Sequence, residues 1–182
     1  DGSTMTGGLT VTSLNTTAAT TIKGGSGADV LTAATGTTAD VLVGGAGNDT
    51  LKANAGLDTL TGGAGNDVFV IATASLNSSS YATITDFAAG DLIQFAGATE
   101  FAASTVVQAD TAVFQDFANA AMNASSVGEV SWFQFGGNTY IVMDAGAESV
   151  TFVNGEDFVV KLTGLVDLTN ASFNNTYDTI AL

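Results

Sequence analysis

The sequence predicts a mainly β protein in which very short parallel strands stack into a solenoid, capped by a small β-rich or α+β unit with one helix. The first observation behind this prediction is a unit containing glycine and aspartate that recurs about every nine residues between residues 24 and 70. The second is the composition, which is rich in glycine, threonine, alanine and valine and contains no proline. Such a composition suits short strands and tight turns better than long helices.

The charge composition excludes several classes of function. The chain has 182 residues, of which 18 are acidic and 3 basic, for a formal charge of −15, and it has neither histidine nor cysteine. These absences exclude catalytic triads that use histidine, zinc sites built on histidine or cysteine, and disulfides. Binding to nucleic acid or to anionic membranes is not expected without a basic patch. Any metal must be held by oxygen atoms, which favours calcium or magnesium.

The hydrophobic share of 46% is that of a globular chain. No apolar run approaches the length of a transmembrane helix, so none is predicted. The N-terminal residues lack the basic and apolar regions of a signal peptide and do not begin with methionine. We therefore expect a fragment or a processed product.

The repeated unit has three full copies, at residues 24–32, 44–52 and 62–70, and two degenerate copies, at 33–43 and 53–61. An aspartate occurs in every copy, and an apolar residue follows it two positions later. The five pairs are Asp29 and Leu31, Asp40 and Leu42, Asp49 and Leu51, Asp58 and Leu60, and Asp67 and Phe69.

The chemistry of one unit predicts how the copies stack. A Gly-Gly-x-Gly stretch permits a tight turn with exposed carbonyls, and the three residues after the aspartate suffice only for a short strand with an inward-facing middle residue. Such strands bury an apolar ladder only when they are stacked. With two units in each coil, Asp29, Asp49 and Asp67 share one edge of the stack, and Asp40 and Asp58 share the other.

Aspartates stacked at the strand spacing of about 4.8 Å repel one another unless a cation lies between them. Carboxylates and carbonyls can together offer roughly six oxygens at about 2.3–2.6 Å, which suits Ca²⁺ better than Mg²⁺. The alternative is a metal-free solenoid in which aspartate serves only as a turn residue.

The GGxGxDxUx pattern resembles the repeats-in-toxin (RTX) family, whose repeats form a calcium-binding parallel β-roll. The resemblance implies a right-handed roll that binds several Ca²⁺ ions. The ligands it implies are the carboxylates of Asp29, Asp40, Asp49, Asp58 and Asp67 and the carbonyls of Gly24, Gly27, Gly44, Gly47, Gly62 and Gly65. Two copies depart from the pattern. The 33–43 copy has two extra residues and no double glycine, and the 53–61 copy has Ala53 and Asn54 in its place.

The nine-residue period stops after Ile71, and residues 72–82 are expected to form a loop. Residues 84–95 then resemble the DFxxGxDxI segment that follows β-rolls in secreted RTX enzymes, although Asp91 follows Gly90 directly. By this resemblance, Asp86 and Asp91 close the last calcium site. The alternative is an ordinary turn between two strands.

Three regions follow from these patterns: degenerate solenoid rungs or a linker at 1–22, the calcium-binding roll at 23–96, and a capping, assembly and secretion-signal region at 97–182. In the last region, helical spacing predicts a helix over 111–125. A Gly-Gly-Asn turn predicts a hairpin of Glu129–Phe135 with 139–144. Two further strands are expected at 150–153 and 157–162.

Two C-terminal segments extend the resemblance. Residues 157–168 are similar to C-terminal regions of large RTX surface proteins, including S-layer and adhesin-like chains, and residues 178–182 resemble the C-terminus of type I secretion substrates. The resemblance implies a calcium-dependent, non-enzymatic structural module of a secreted bacterial cell-surface protein. Its expected partners are Ca²⁺, further copies of the chain or a cell-surface glycan. The alternative is the non-catalytic tail of a secreted RTX protease or lipase.

Overall fold

The computed structural model describes residues 1–72, 81–124, 126–146, 151–153 and 155–182. Nine short strands form the stacked part of the protein, which we call the roll. These strands are β1 (Thr10–Thr12), β2 (Thr21–Lys23), β3 (Val30–Thr32), β4 (Val41–Ala46), β5 (Thr50–Ala53), β6 (Thr59–Ala64), β7 (Val68–Ile71), β8 (Ala82–Ile84) and β9 (Leu92–Phe95).

The strands of the roll alternate between two parallel sheets. The odd-numbered strands pair in the order β1-β3-β5-β7-β9, and the even-numbered strands pair in the order β2-β4-β6-β8. The apolar residue two positions after each aspartate keeps the same register within its sheet. Leu31 pairs with Leu51, and Leu51 pairs with Phe69. This arrangement gives about four coils, and the prediction of a mainly β stacked solenoid is confirmed.

The inward residue of each rung builds the core of the roll. Leu31, Leu42, Leu51, Leu60 and Phe69 are completely buried. Because each of these short strands contributes one such side chain, no coil can bury it without a neighbour on each side.

Stacking continues at both ends of the perfect repeat. At the N-terminal end, β1 pairs with β3 and β2 pairs with β4, which makes residues 10–23 the first coil. At the other end, β8 pairs with β6 and β9 pairs with β7. Residues 73–80 of the expected 72–82 loop lie outside the described residues, but Ala82 belongs to β8, so the loop prediction is wrong there.

The remaining elements form the C-terminal unit. They are β10 (Glu100–Thr105), α1 (Phe114–Ala124), β11 (Glu129–Phe135), β12 (Asn138–Met143), β13 (Phe158–Leu162), β14 (Ser172–Asn174) and β15 (Thr179–Ala181). The predicted hairpin is confirmed as β11 and β12, joined at Gly136 and Gly137, whose φ angles of 56° and 78° favour glycine. The predicted helix is confirmed as α1, and residue 125 of the predicted range lies outside the described residues.

The prediction of a strand at 150–153 is wrong over 151–153, and residue 150 lies outside the described residues. Two backbone N–H groups of this segment donate to side chains, whereas in a strand they would donate to a neighbouring strand. The N–H of Phe152 donates to Oδ1 of Asn119 on α1, and the N–H of Val153 donates to Oδ2 of Asp157.

Both sheets of the roll continue into the C-terminal unit. Strand β13 pairs in parallel with β8, and β15 pairs antiparallel with β9. One face of β11–β13 therefore shares a core with the roll, through Trp132, Ile141 and Val160 among others. The opposite face packs under α1. No helix in the part of the chain that the structure describes is long and apolar enough to cross a membrane.

Truncating the apolar ladder should weaken the whole stack. We expect Leu51→Ala to lower the free energy of unfolding in calcium by about 2–5 kcal/mol, because Leu51 is completely buried between two coils. The matched control is Leu14→Ala, which removes a side chain that is 87% exposed and should change stability by less than about 0.5 kcal/mol. Urea denaturation of both variants measures the difference, and equal losses would contradict the ladder as the core.

Candidate metal centre

The turns between strands lie along two edges of the roll. We call the edge made by residues 24–29, 44–49, 62–67 and 86–91 the first edge, and the edge made by residues 33–40 and 53–58 the second edge. The first edge carries Asp29, Asp49, Asp67 and Asp91, and the second carries Asp40 and Asp58. All six aspartates are at most 4% exposed.

Backbone hydrogen bonds tie each aspartate to the preceding coil. On the first edge, the N–H of Asp29 donates to Oδ1 of Asp49 (2.8 Å), that of Asp49 to Oδ1 of Asp67 (2.8 Å), and that of Asp67 to Oδ1 of Asp91 (2.9 Å). On the second edge, the N–H of Asp40 donates to Oδ1 of Asp58 (2.9 Å). The carboxylates therefore form two ladders in which each carboxylate accepts from the coil before it.

The second carboxylate oxygen differs along the first edge. Oδ2 of Asp29 accepts from the N–H of Gly25, and Oδ2 of Asp91 accepts from the N–H of Ala88. Oδ2 of Asp49, in contrast, is buried and has no hydrogen-bond partner. A buried carboxylate oxygen without a partner is strongly unfavourable, so this atom is a place where a cation would be stabilised.

The first glycine of the turns at 24–29, 44–49 and 62–67 allows the carboxylate to approach the backbone closely. A β-carbon at Gly44 would overlap Oδ2 of Asp49 and lie close to the carbonyl oxygen of Gly62 in the next coil. Gly24 is placed in the same way against Asp29 and the carbonyl of Gly44. A carboxylate oxygen and a carbonyl oxygen thus converge beside each of these glycines. An all-oxygen donor set of this kind fits a hard divalent cation such as Ca²⁺.

The glycine at the fourth position of the turns at 44–49 and 62–67 has a different role. Gly47 and Gly65 have φ angles of 111° and 143°, which disfavour other residues. A β-carbon at Gly47 would overlap the carbonyl of Gly27, and one at Gly65 would overlap the carbonyl of Gly47. These glycines let the turns stack closely, and they lie away from the carboxylate oxygens.

Asp86 and Asp91 both bind the turn at 62–67 but at different points. Asp91 continues the carboxylate ladder. Asp86 accepts from the N–H groups of Gly62 (3.0 Å) and Gly63 (2.8 Å) through its two oxygens. The structure therefore brings both residues to the end of the first edge, with Asp86 outside the carboxylate stack.

Burial sets the electrostatics of the ladders. Desolvation raises the pKa of Asp49 to about 6, and the charges of Asp67 and Asp29 add to the effect, against the hydrogen bond from the Asp29 backbone. Desolvation likewise raises the pKa of Asp58 to about 6 and raises that of Asp67. Without a cation, burial makes the ionised form of these carboxylates less stable than it is in water.

Among the described residues, no three acidic side chains come together as one metal-binding group. A cation on the first edge would accordingly be held by one or two carboxylates together with glycine carbonyls. The fitting residues are Asp49, the carbonyl of Gly62, and the equivalent atoms of the adjacent turns.

Adding a methyl group beside the carboxylate should disrupt the first edge. We expect Gly44→Ala to lower the free energy of unfolding by about 1–3 kcal/mol, because the new β-carbon overlaps Oδ2 of Asp49. Gly7→Ala is the matched control, since a β-carbon at Gly7 meets nothing within 4 Å. Denaturation in calcium compares the two, and a neutral Gly44→Ala would contradict the close approach.

The metal-free protein should be more stable in acid than at neutral pH. The folded-state pKa values of Asp49 and Asp58 lie near 6, above the ordinary value of 3.8. The stability that these two carboxyl groups contribute to the fold is therefore complete below about pH 3.8 and is lost as the pH rises through about 6. We expect the urea concentration at the unfolding midpoint, measured on protein stripped of calcium with a chelating resin, to decrease as the pH rises from roughly 4.5 to 7. Asp49→Asn should flatten the fall, and a midpoint that rises over this interval would contradict the assignment.

Comparison with known proteins agrees with this geometry. A family model described as the RTX calcium-binding nonapeptide repeat matches residues 16–37 and 34–69 as four copies. The search of curated proteins found no match. The matched residues contain the glycine turns and the aspartates of both ladders from Asp29 to Asp67. Together with the stacked β-solenoid, the matched repeats support an RTX β-roll with calcium-binding repeats in this chain.

Proposed function

We propose that this protein is a calcium-dependent, non-catalytic structural module of a secreted bacterial cell-surface protein of the S-layer kind. It folds and assembles when extracellular Ca²⁺ fills the stacked turns after type I secretion. The observation that carries the proposal is the buried Oδ2 of Asp49, which has no hydrogen-bond partner and converges with the carbonyl oxygen of Gly62 beside Gly44.

The chain itself provides little compensation for its buried carboxylates. It has three lysines against eighteen acidic residues. Hydrogen bonds between consecutive coils hold the ladder aspartates close together, so their negative charges repel one another in a desolvated site. Bound Ca²⁺ supplies the positive charge and accepts the free carboxylate and carbonyl oxygens as ligands. The ligands we propose for it are Asp49, the carbonyl of Gly62 and the equivalent atoms of the adjacent turns.

Binding of this kind couples the metal concentration to folding. An ion that binds only the folded chain stabilises it by RT ln(1 + [L]/Kd). With a Kd of about 0.1 mM, as in extracellular calcium modules, and about 2 mM calcium, each site contributes about 1.8 kcal/mol. Several such sites make folding strongly dependent on calcium. In the low calcium of a bacterial cytosol the chain would stay unfolded and competent for export.

The C-terminal unit supports a structural role at the cell surface. Its strands β13 and β15 extend the two sheets of the roll, so the roll and the unit form one continuous body rather than a roll with a loose tail. The partners we propose are neighbouring copies of the chain or a glycan of the cell surface. The other candidate, the non-catalytic tail of a secreted protease or lipase, uses the same roll and differs in having no assembly step.

Calcium should control the folding of this chain. In EGTA at pH 7.5 we expect little β-structure by circular dichroism, and millimolar calcium should produce a folded spectrum with a cooperative thermal transition. Asp49→Asn should raise the calcium concentration at the folding midpoint several-fold, because it removes a charged ligand. Asp110→Asn is the matched control, since Asp110 is exposed and belongs to neither aspartate ladder, and it should behave as the unmodified chain.

Equal folding in EGTA and in calcium would contradict the proposed function. Electron microscopy of the calcium-loaded protein then separates the two candidates. Ordered sheets support the S-layer kind of module, whereas monomers at all concentrations support the tail of a secreted enzyme.

A further inference from the structure

We infer that the calcium sites of this roll lie on the first edge alone, and that the second edge is closed without metal by the side-chain amide of Asn54. This inference rests on the proposed calcium-dependent function. It concerns which of the two aspartate ladders takes part in that function.

Hydrogen bonds establish which positions of the two edges correspond. On the first edge, the N–H of Gly25 donates to Oδ2 of Asp29. On the second edge, the N–H of Asn54 donates in the same way to Oδ2 of Asp58 (3.2 Å). Asn54 therefore stands where the first edge has the second glycine of its double-glycine turn.

The same comparison makes Ala33 the counterpart of Gly24. The N–H of Ala34 donates to Oδ2 of Asp40 (2.8 Å), as that of Gly25 does to Asp29. The residue before each donor is Ala33 on the second edge and Gly24 on the first. The carbonyl at this position belongs to the set of oxygens that a first-edge cation would use.

On the second edge this carbonyl already has a donor. Nδ2 of Asn54 donates to the carbonyl oxygen of Ala33 at 2.6 Å, across the gap between consecutive coils. The amide hydrogen carries partial positive charge and lies between the two turns. A cation would have to displace it, and the chain would lose a short hydrogen bond in a partly buried place.

The carboxylates of the second edge are also fully engaged. Asp40 accepts from the N–H groups of Thr20 and Ala34. Asp58 accepts from those of Asp40 and Asn54. On this edge each of the four carboxylate oxygens has an N–H partner, whereas the first edge contains the unpartnered Oδ2 of Asp49.

The second edge also lacks the first glycine of the turn. Ala33 and Ala53 occupy that position, and both are completely buried in the apolar core. The hydrogen-bond donors of the turn and the partners of the carboxylates together indicate that the second-edge carboxylates are satisfied without an ion.

The number of calcium ions bound per chain tests the inference. We would count ions by native mass spectrometry and by calorimetric titration for the unmodified chain, Asp49→Asn, Asp58→Asn and Asn54→Ala, each checked for folding by circular dichroism in calcium. Asp49→Asn should bind fewer ions. Asp58→Asn should bind the same number as the unmodified chain, and Asn54→Ala should bind no fewer.

The stability of Asn54→Ala adds a readout that does not depend on counting. At saturating calcium, where the chain is folded, loss of the bond to Ala33 should lower the melting temperature by about 2–4 °C. A gain-of-site variant completes the set: Ala53→Gly with Asn54→Gly restores a Gly-Gly-Ala-Gly-Leu-Asp turn and should add an ion.

Each outcome bears on the inference. A lower ion count in Asp58→Asn or Asn54→Ala would overturn it, and so would an unchanged melting temperature in Asn54→Ala or no added ion in the double variant. If Asp58→Asn does not fold, Asn54→Ala decides. Failure of the unmodified chain to bind calcium would instead overturn the proposed function, so the two failures are distinguishable.

Discussion

The structure depends on one interaction, the hydrogen bond from a backbone N–H in one coil to the buried carboxylate of the aspartate in the next coil. It recurs from Leu9 to Asp91 on the first edge and from Thr20 to Asp58 on the second. Each bond joins neighbouring coils at the point where the chain turns and where strand pairing ends. A short aspartate side chain can make this bond only if the coils stay in register, so the ladder and the apolar core enforce the same stacking.

The same interaction creates the electrostatic problem that divides the two edges. The charges of neighbouring carboxylates raise the pKa of Asp49 and Asp67 in addition to the larger effect of desolvation. On the second edge, N–H donors and the amide of Asn54 reach the oxygens of both the carboxylates and the neighbouring turn. On the first edge, glycine removes the side chain that could do so at the equivalent position. Glycine therefore keeps the turn compact and also leaves its oxygens available to a cation.

Local periodicity predicted most of the roll. A nine-residue spacing places an aspartate and a leucine at the same point of every half-coil, so the sharing of edges and the buried ladder followed from counting residues. The continuation of the stack through β8 and β9 did not follow, because the spacing is broken between Asp67 and Asp91. Side-chain hydrogen bonds were also beyond the sequence. Asn54 stood out only as a departure from the repeat, and its bond to Ala33 depends on how two coils are stacked.

The ladder also has a direction, because each carboxylate binds the coil before it. In the first coil, Leu9 and Thr20 occupy the aspartate positions and offer only their backbone N–H. At the other end, Asp91 is followed by β9, which pairs with β15 of the C-terminal unit. Every coil from the first onward is therefore held by the one that follows it, and the last coil is held by the C-terminal unit. The stack thus relies on its C-terminal end, where the sheets continue into a second core, more than on its N-terminal end.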